Sequence, residues 1–209
     1  MTLNKLTTSL LALLLLTSSC SWLFSARDPG ALRMQLGSEP VSLVPWLSED
    51  GLSMKVLGNT WHGLVGLGPH GELEPRLSDH WKFEPKKRLL RFHIRPTAKW
   101  SDGEPVTAQQ FSDGLEHSLS PQTGGKVAGL LEGIKGGDQF RQGKVPWSQV
   151  GVRVQGEWLE IELARWMPQW PQALALLVAS PYRKDLAPGG TWKSNNPSTG
   201  PYYIDVHES

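Results

Sequence analysis

The chain has 209 residues, with 21 Lys and Arg against 20 Asp and Glu and a formal net charge of +1. That balance argues against a nucleic-acid partner, which calls for clustered basic side chains. A single cysteine, Cys20, rules out an intramolecular disulfide and a multi-thiolate metal site, so stability rests on an ordinary apolar core.

Residues 1–20, MTLNKLTTSLLALLLLTSSC, carry one positive charge at Lys5, an apolar run from Leu6 to Leu16, and the small residues Thr17, Ser18 and Ser19 before Cys20. The run is about half the ~20 residues that a spanning helix needs, so it reads as an export signal. Its end on Cys20 resembles the lipobox of bacterial lipoproteins, which implies acylation of that thiol and attachment to a membrane through the lipid. Ser21 in place of Asp is, by the same analogy, compatible with sorting to an outer membrane. The segment after the lipid, residues 20–30, reads as a tether.

Further along, Ala31 to Leu36 looks like a strand closed by Gly37, and Pro40 to Pro45 is extended. Leu52, Val56, Leu57, Trp61 and Leu64 suit one face of a helix. Gly66, Gly68 and Pro69-His70-Gly71 break it. Leu90, Phe92 and Ile94 alternate with Arg91, His93 and Arg95, predicting a half-buried strand with His93 on its polar face. Thr107 and Gln110 form a capping box ahead of an amphipathic helix carrying Phe111, Leu115 and Leu119, ended by Pro121 to Gly125. Val150, Val152 and Val154, the turn at Gln155-Gly156, and Leu159, Ile161 and Leu163 predict a hairpin. Pro168 to Val178 reads as a helix and Tyr202 to Val206 as a last strand. Hairpins mixed with separate helices give an α+β fold class. The ten tryptophans read either as anchors of a β-rich core or, for a few, as the lining of a groove.

Reactive groups are sparse. The histidines at 62, 70, 80, 93, 117 and 207 offer no H-x-x-x-H pair, so the spacing predicts no metal site. Gly124-Gly125-Lys126 lacks both the first glycine and the hydroxyl of a phosphate loop. Asp102 and Glu104 could be a carboxylate pair, but no base-orienting partner is visible, and the sequence supports no catalytic residue, enzyme activity or cofactor.

The segment Lys99-Trp100-Ser101-Asp102-Gly103-Glu104-Pro105-Val106-Thr107-Ala108-Gln109-Gln110-Phe111 closely resembles the signature of the family 5 extracytoplasmic solute-binding proteins, the peptide receptors of ABC importers. Ser38 to Pro45 resembles the family's opening segment, Trp61-His62-Gly63-Leu64-Val65 its aromatic-x-Gly-Leu element, and Glu74 to Trp81 its P-x-L-A-x-x-W element. Phe92-His93-Ile94-Arg95 stands before the signature as in the family, and Gly200-Pro201-Tyr202 resembles a return strand. The signature itself reads as architecture: Trp100 is an apolar anchor, Asp102-Gly103 a tight turn and Thr107 a helix cap.

The resemblance implies a type II periplasmic binding protein-like fold: part of lobe I (31–61 and 182–209) with a β-rich additional domain (62–181). The family continues past the strand at Tyr202 to Val206, whereas this sequence stops at Ser209, so the second lobe is expected to be absent. By the same resemblance the ligand is an oligopeptide, whose α-amino group pairs with Glu49, with Asp50 and Gly51 beside it. The implied partners are ABC permease subunits and, through Cys20, a membrane. The expected location is the periplasm or the cell surface. A second reading is a degenerate envelope lipoprotein acting as a protein-interaction module.

Overall fold

The computed structural model describes residues 30–123, 126–185 and 196–204. The export signal, Cys20 and the glycine pair at 124–125 lie outside the described residues. Residues 36–209 form one compact unit, and residues 30–35 belong to an N-terminal unit, residues 1–35, in which the described part has no regular secondary structure. The strand expected at Ala31 to Leu36 is therefore not formed, since an isolated extended stretch without a ladder partner is not a strand.

In chain order the elements are α1 (Gly51–Thr60), β1 (Val65–Leu67), β2 (Leu73–Pro75), β3 (Ser78–Glu84), β4 (Leu89–Ile94), α2 (Ala108–Leu119), α3 (Gly137–Arg141), β5 (Val152–Gln155), β6 (Trp158–Glu162) and α4 (Trp170–Ala173), with short 3-10 turns between several of them. Strands β1 and β2 pair as a small antiparallel hairpin across the Pro69-His70-Gly71 turn. The main sheet is fully antiparallel in the order β3-β4-β6-β5.

Strict alternation builds that sheet. Leu90, Phe92 and Ile94 of β4 are buried, and Leu90 and Phe92 lie directly across from Ile161 and Leu159 of β6. Val152 of β5 continues the row opposite Ile161. Helix α2 covers this face with Phe111, Leu115 and Leu119, all fully buried. The outer face carries charge: Arg91 pairs with Glu160 at 2.8 Å and lies over the Trp158 ring, and Lys135 pairs with Glu162 at 2.9 Å.

Helix α2 begins with the predicted capping box, Thr107 Oγ1 accepting from Gln110 N–H and the Gln110 side chain accepting from Thr107 N–H. Gly114 sits where α2 meets the Ser180 backbone, and a Cβ there would collide with the Ser180 carbonyl oxygen. The close approach lets Tyr182 N–H donate to Gln110 O at 2.8 Å and Ser118 Oγ donate to Val178 O at 2.7 Å.

Two other elements differ from their predicted form. The helix expected over Pro168 to Val178 is α4 followed by successive tight turns, with amides of Ala175 and Leu176 donating three residues back. Trp170, Leu174 and Val178 are buried all the same, so helical spacing is satisfied without a continuous helix. Residues 202–204 form no strand, and residues 205 and 206 lie outside the described residues. Instead the Gly200-Pro201-Tyr202 segment closes α1. Gly200 N–H donates to Thr60 O at 2.9 Å and Tyr202 N–H to Asn59 O at 3.2 Å, meeting carbonyls that a helix end leaves open. Gly200 is required by contact: a Cβ would fall 2.5 Å from the Thr60 carbonyl carbon.

Candidate functional site

Residues 38–50 form a loop folded by serine hydroxyls around the start of α1. Ser48 Oγ donates to Ser42 O and Val44 O at 2.8 and 2.7 Å, and Ser42 N–H donates to Ser53 Oγ at 3.2 Å. Asp50 is the N-cap of α1: its Oδ1 accepts from Leu52 N–H and Ser53 N–H at 3.1 and 2.9 Å, and Oδ2 accepts from the Ser53 hydroxyl. Those bonds, the Ser53 hydroxyl foremost, hold the Asp50 carboxyl below its ordinary pKa, so it stays anionic at the positive end of the helix. Gly51 is the first helical residue, with open space where a Cβ would stand. Glu49 precedes the cap and is exposed. The three predicted ligand residues are thus consecutive at one helix start, with Asp50 already committed to capping.

What fixes this loop is Trp46. Its ring is buried and meets three others edge-on: Trp61 at 6.1 Å, His117 at 5.1 Å and Tyr182 at 5.3 Å between centroids. His117 stacks on Tyr182 at 4.5 Å, and Trp61 meets Trp100 edge-on at 5.6 Å. Burial pushes the His117 imidazole below its usual pKa, as it does that of His62, where the charges of Arg76 and Arg95 add to the effect.

The signature residues support this seam. Trp100 is 2% exposed, and its Nε1–H donates to Gln110 Oε1 at 3.0 Å. Gly103, at φ +92°, turns the chain so that Gly103 N–H reaches Trp100 O at 2.9 Å. Asp102 pairs with Arg183, whose guanidinium lies over the Trp100 ring. That occupies Asp102 in a structural ion pair and not in a pair with Glu104. Ser101 and Ser198 exchange hydrogen bonds, and Thr199 Oγ1 both accepts from His62 N–H and donates to His62 O at 3.0 Å.

An open depression of about 290 Å³ on the outer face of the sheet is lined by Lys87, Leu89, Gly151, Arg153, Gln155, Glu160 and Glu162, none of them a predicted ligand residue. One cluster was not legible from spacing along the chain. Asp79, His80 and His93 bring three donor atoms within 4.8 Å of one another, though twelve residues separate the two histidines. Alternation places His93 on the outer face. Knowing that β3 pairs with β4 would have placed His80 opposite it.

The pattern of the bacterial extracellular solute-binding proteins, family 5 Middle, matches residues 72–208. Among curated relatives, the oligopeptide-binding protein OppA of Bacillus subtilis is 30% identical over 166 residues, covering 78% of this chain and 30% of OppA. The dipeptide-binding protein DppE of the same organism is 33% identical, covering 68% and 26%. The periplasmic murein peptide-binding protein MppA of Escherichia coli is 30% identical over 190 residues, covering 85% and 35%. The solved structure of the E. coli murein tripeptide-binding protein MppA superposes with a TM-score of 0.75 at 29% identity, over 82% of this chain and 35% of MppA. A Bacillus anthracis oligopeptide ABC transporter substrate-binding domain gives 0.75 at 25% identity, over 82% and 34%. The chain spans about a third of the length of these relatives, and its fold is a mixed α+β portion of a type II periplasmic binding protein. Among the described residues no helix is long and apolar enough to cross a membrane. By sequence pattern, by the order of its motifs and by its fold, the chain belongs to the bacterial extracellular solute-binding proteins, family 5.

Proposed function

We infer that this chain forms one wall of an oligopeptide receptor working outside the cytoplasmic membrane, held there by a lipid on Cys20 and delivering its ligand to the permease of an ABC importer. The observation that carries this reading is the family match together with relatives named for binding oligopeptides, dipeptides and murein peptides.

The chemistry of the α1 start is compatible with it. A peptide offers a positive α-amino group and a backbone that recurs whatever its side chains. Glu49 supplies an exposed carboxylate for the amino group. Asp50 keeps its charge on the helix start and so shields the arriving ammonium from the positive end of α1. Gly51 is exposed, with open space where a side chain would stand, so a peptide backbone can approach the first turn of α1 there. Affinity then comes from main-chain pairing plus one ionic anchor, which tolerates varied sequences.

A ligand buried on most sides needs a second wall, and this chain matches only about a third of the length of its relatives. The chain alone, titrated calorimetrically with mixed tri- to pentapeptides, is expected to bind more weakly than about 100 µM, and a receptor completed by an opposing lobe to bind at about micromolar Kd. Glu49→Gln in the completed receptor should weaken binding about tenfold, the value of one lost charge-assisted contact. Micromolar binding by the chain alone would contradict the need for a second wall, and a completed receptor that ignores peptides would contradict the assignment.

A further inference from the structure

We propose that Asp79, His80 and His93 form a surface site for a borderline divalent transition-metal ion, of the Zn²⁺, Cu²⁺ or Ni²⁺ type, on the outer face of the main sheet and separate from the peptide-binding loop. The site is built by a backbone irregularity. Along β3, Ser78 lies opposite Ile94 and His80 lies opposite His93, so Asp79 is an extra residue without a partner in β4. In a regular strand Asp79 and His80 would point to opposite faces. The bulge turns both onto the outer face while Ser78 and Trp81 stay on the core side, opposite Ile94 and Phe92.

The three side chains converge there. Asp79 Oδ1 is 2.6 Å from His93 Nδ1 and 2.9 Å from His80 Nδ1, and the two rings meet edge-on at 5.8 Å. A tetrahedral ion with bonds of about 2.0–2.1 Å spaces its ligand atoms roughly 3.3 Å apart, so the carboxylate must separate from each imidazole by less than about 1 Å, and the two ring nitrogens, within 4.8 Å of each other, must settle at that same spacing. The His80 side chain is 75% exposed and free to adjust, whereas the His93 side chain is 20% exposed and braced by the Trp158 ring at 5.1 Å. Coordination through Nδ1 leaves His93 Nε2 facing Glu157 Oε2, 3.9 Å away, an exposed side chain that must close by about 1 Å to accept from the ring N–H. A carboxylate behind a ligating imidazole fixes its tautomer and raises its basicity. Two imidazoles and one carboxylate select the borderline transition ions over Mg²⁺ and Ca²⁺, which take oxygen ligands. Remaining positions are filled by water, because His80 lies at the surface.

The test uses the untagged chain and Zn²⁺, titrated in competition with a chromogenic chelator. We expect saturation at about one equivalent with a Kd on the order of micromolar, and no competition from millimolar Mg²⁺ or Ca²⁺. His80→Ala, a substitution at an exposed ring, should weaken binding about tenfold or more while leaving the denaturation midpoint unchanged, and Asp79→Asn should do the same to affinity. Glu157→Gln should weaken it several-fold, as a partner behind the ligand does. In NMR spectra the ring resonances of His80 and His93 should shift together on addition of Zn²⁺. Absence of a saturable one-equivalent site, or binding that His80→Ala and Asp79→Asn both leave intact, overturns the proposal.

Discussion

The main sheet and the aromatic seam hold themselves together by different means. In the sheet, β3 to β6 lie in antiparallel register: the β3–β4 and β5–β6 ladders join strands consecutive in the chain, and the β4–β6 ladder joins strands across the intervening α2, α3 and β5. Its core is aliphatic apart from Phe92 and Phe111, and its outer face carries ion pairs. The seam has almost no regular structure. Trp46, Trp61, Trp100, His117 of α2 and Tyr182 come from five separate places in the chain and meet mostly edge to face. The backbone around them is tied by bonds spanning up to 137 residues, such as Thr199 to His62. A ladder spreads its hold over many backbone bonds and alternating side chains, whereas a seam of this kind concentrates its hold in a few large side chains.

The sharpest way to break that contrast is Trp100→Ala. The ring is buried, meets Trp61 and carries Arg183 over its face, so its loss should cost about 3–5 kcal/mol in chemical denaturation. In hydrogen exchange the amides of Gly200 and Tyr202 should lose protection before those of β4 and β6. Leu159→Ala in the sheet core should cost about 2–5 kcal/mol with the reverse order of exchange. Loss of both regions together in each variant would show that the distinction is false.

The sheet was readable in advance because its residues alternate with period two, which sets both strand and face. Leu90, Phe92 and Ile94, and Leu159 and Ile161, sit where that period puts them. Thr107 and Gln110 were equally readable, since a capping box is contained in four residues. The seam was not. Gly200-Pro201-Tyr202 is compatible with a strand by composition, and only the position of α1, 140 residues earlier, turns it into a helix closure. Trp46 gives no sign of its three ring partners for the same reason. Asp79 and His80 fall on one face only because of a bulge, which no local pattern announces. For the candidate site, the resemblance pointed to Glu49, Asp50 and Gly51, and the capping bonds of Asp50 came from the structure.

Smaller effects sharpen the comparison. Thr107→Ala removes the cap of the helix that joins sheet to seam and should cost about 1 kcal/mol. Acid should act on the seam first. The imidazoles of His117 and His62 have depressed pKa values in the fold, so the unfolded chain takes up their protons more readily. Their contribution is full above about pH 6.5 and is lost as the pH falls below it. The denaturation midpoint should therefore drop between pH 7.5 and pH 5, and His117→Phe, which keeps a ring on Tyr182, should flatten part of the slope. Lys135→Ala, breaking an exposed pair with Glu162, should change stability by about 0.5 kcal/mol or less in the same assay.

We propose that an acidic residue at the start of α1 receives the amino end of an extended peptide. The most direct measurement compares one tripeptide with its N-acetylated form, on the completed receptor and on its Glu49→Gln variant. The account predicts that acetylation weakens binding about tenfold in the unaltered receptor and has little effect in the variant, because both changes remove the same contact. Equal weakening by acetylation in both proteins would show that the amino group is held elsewhere.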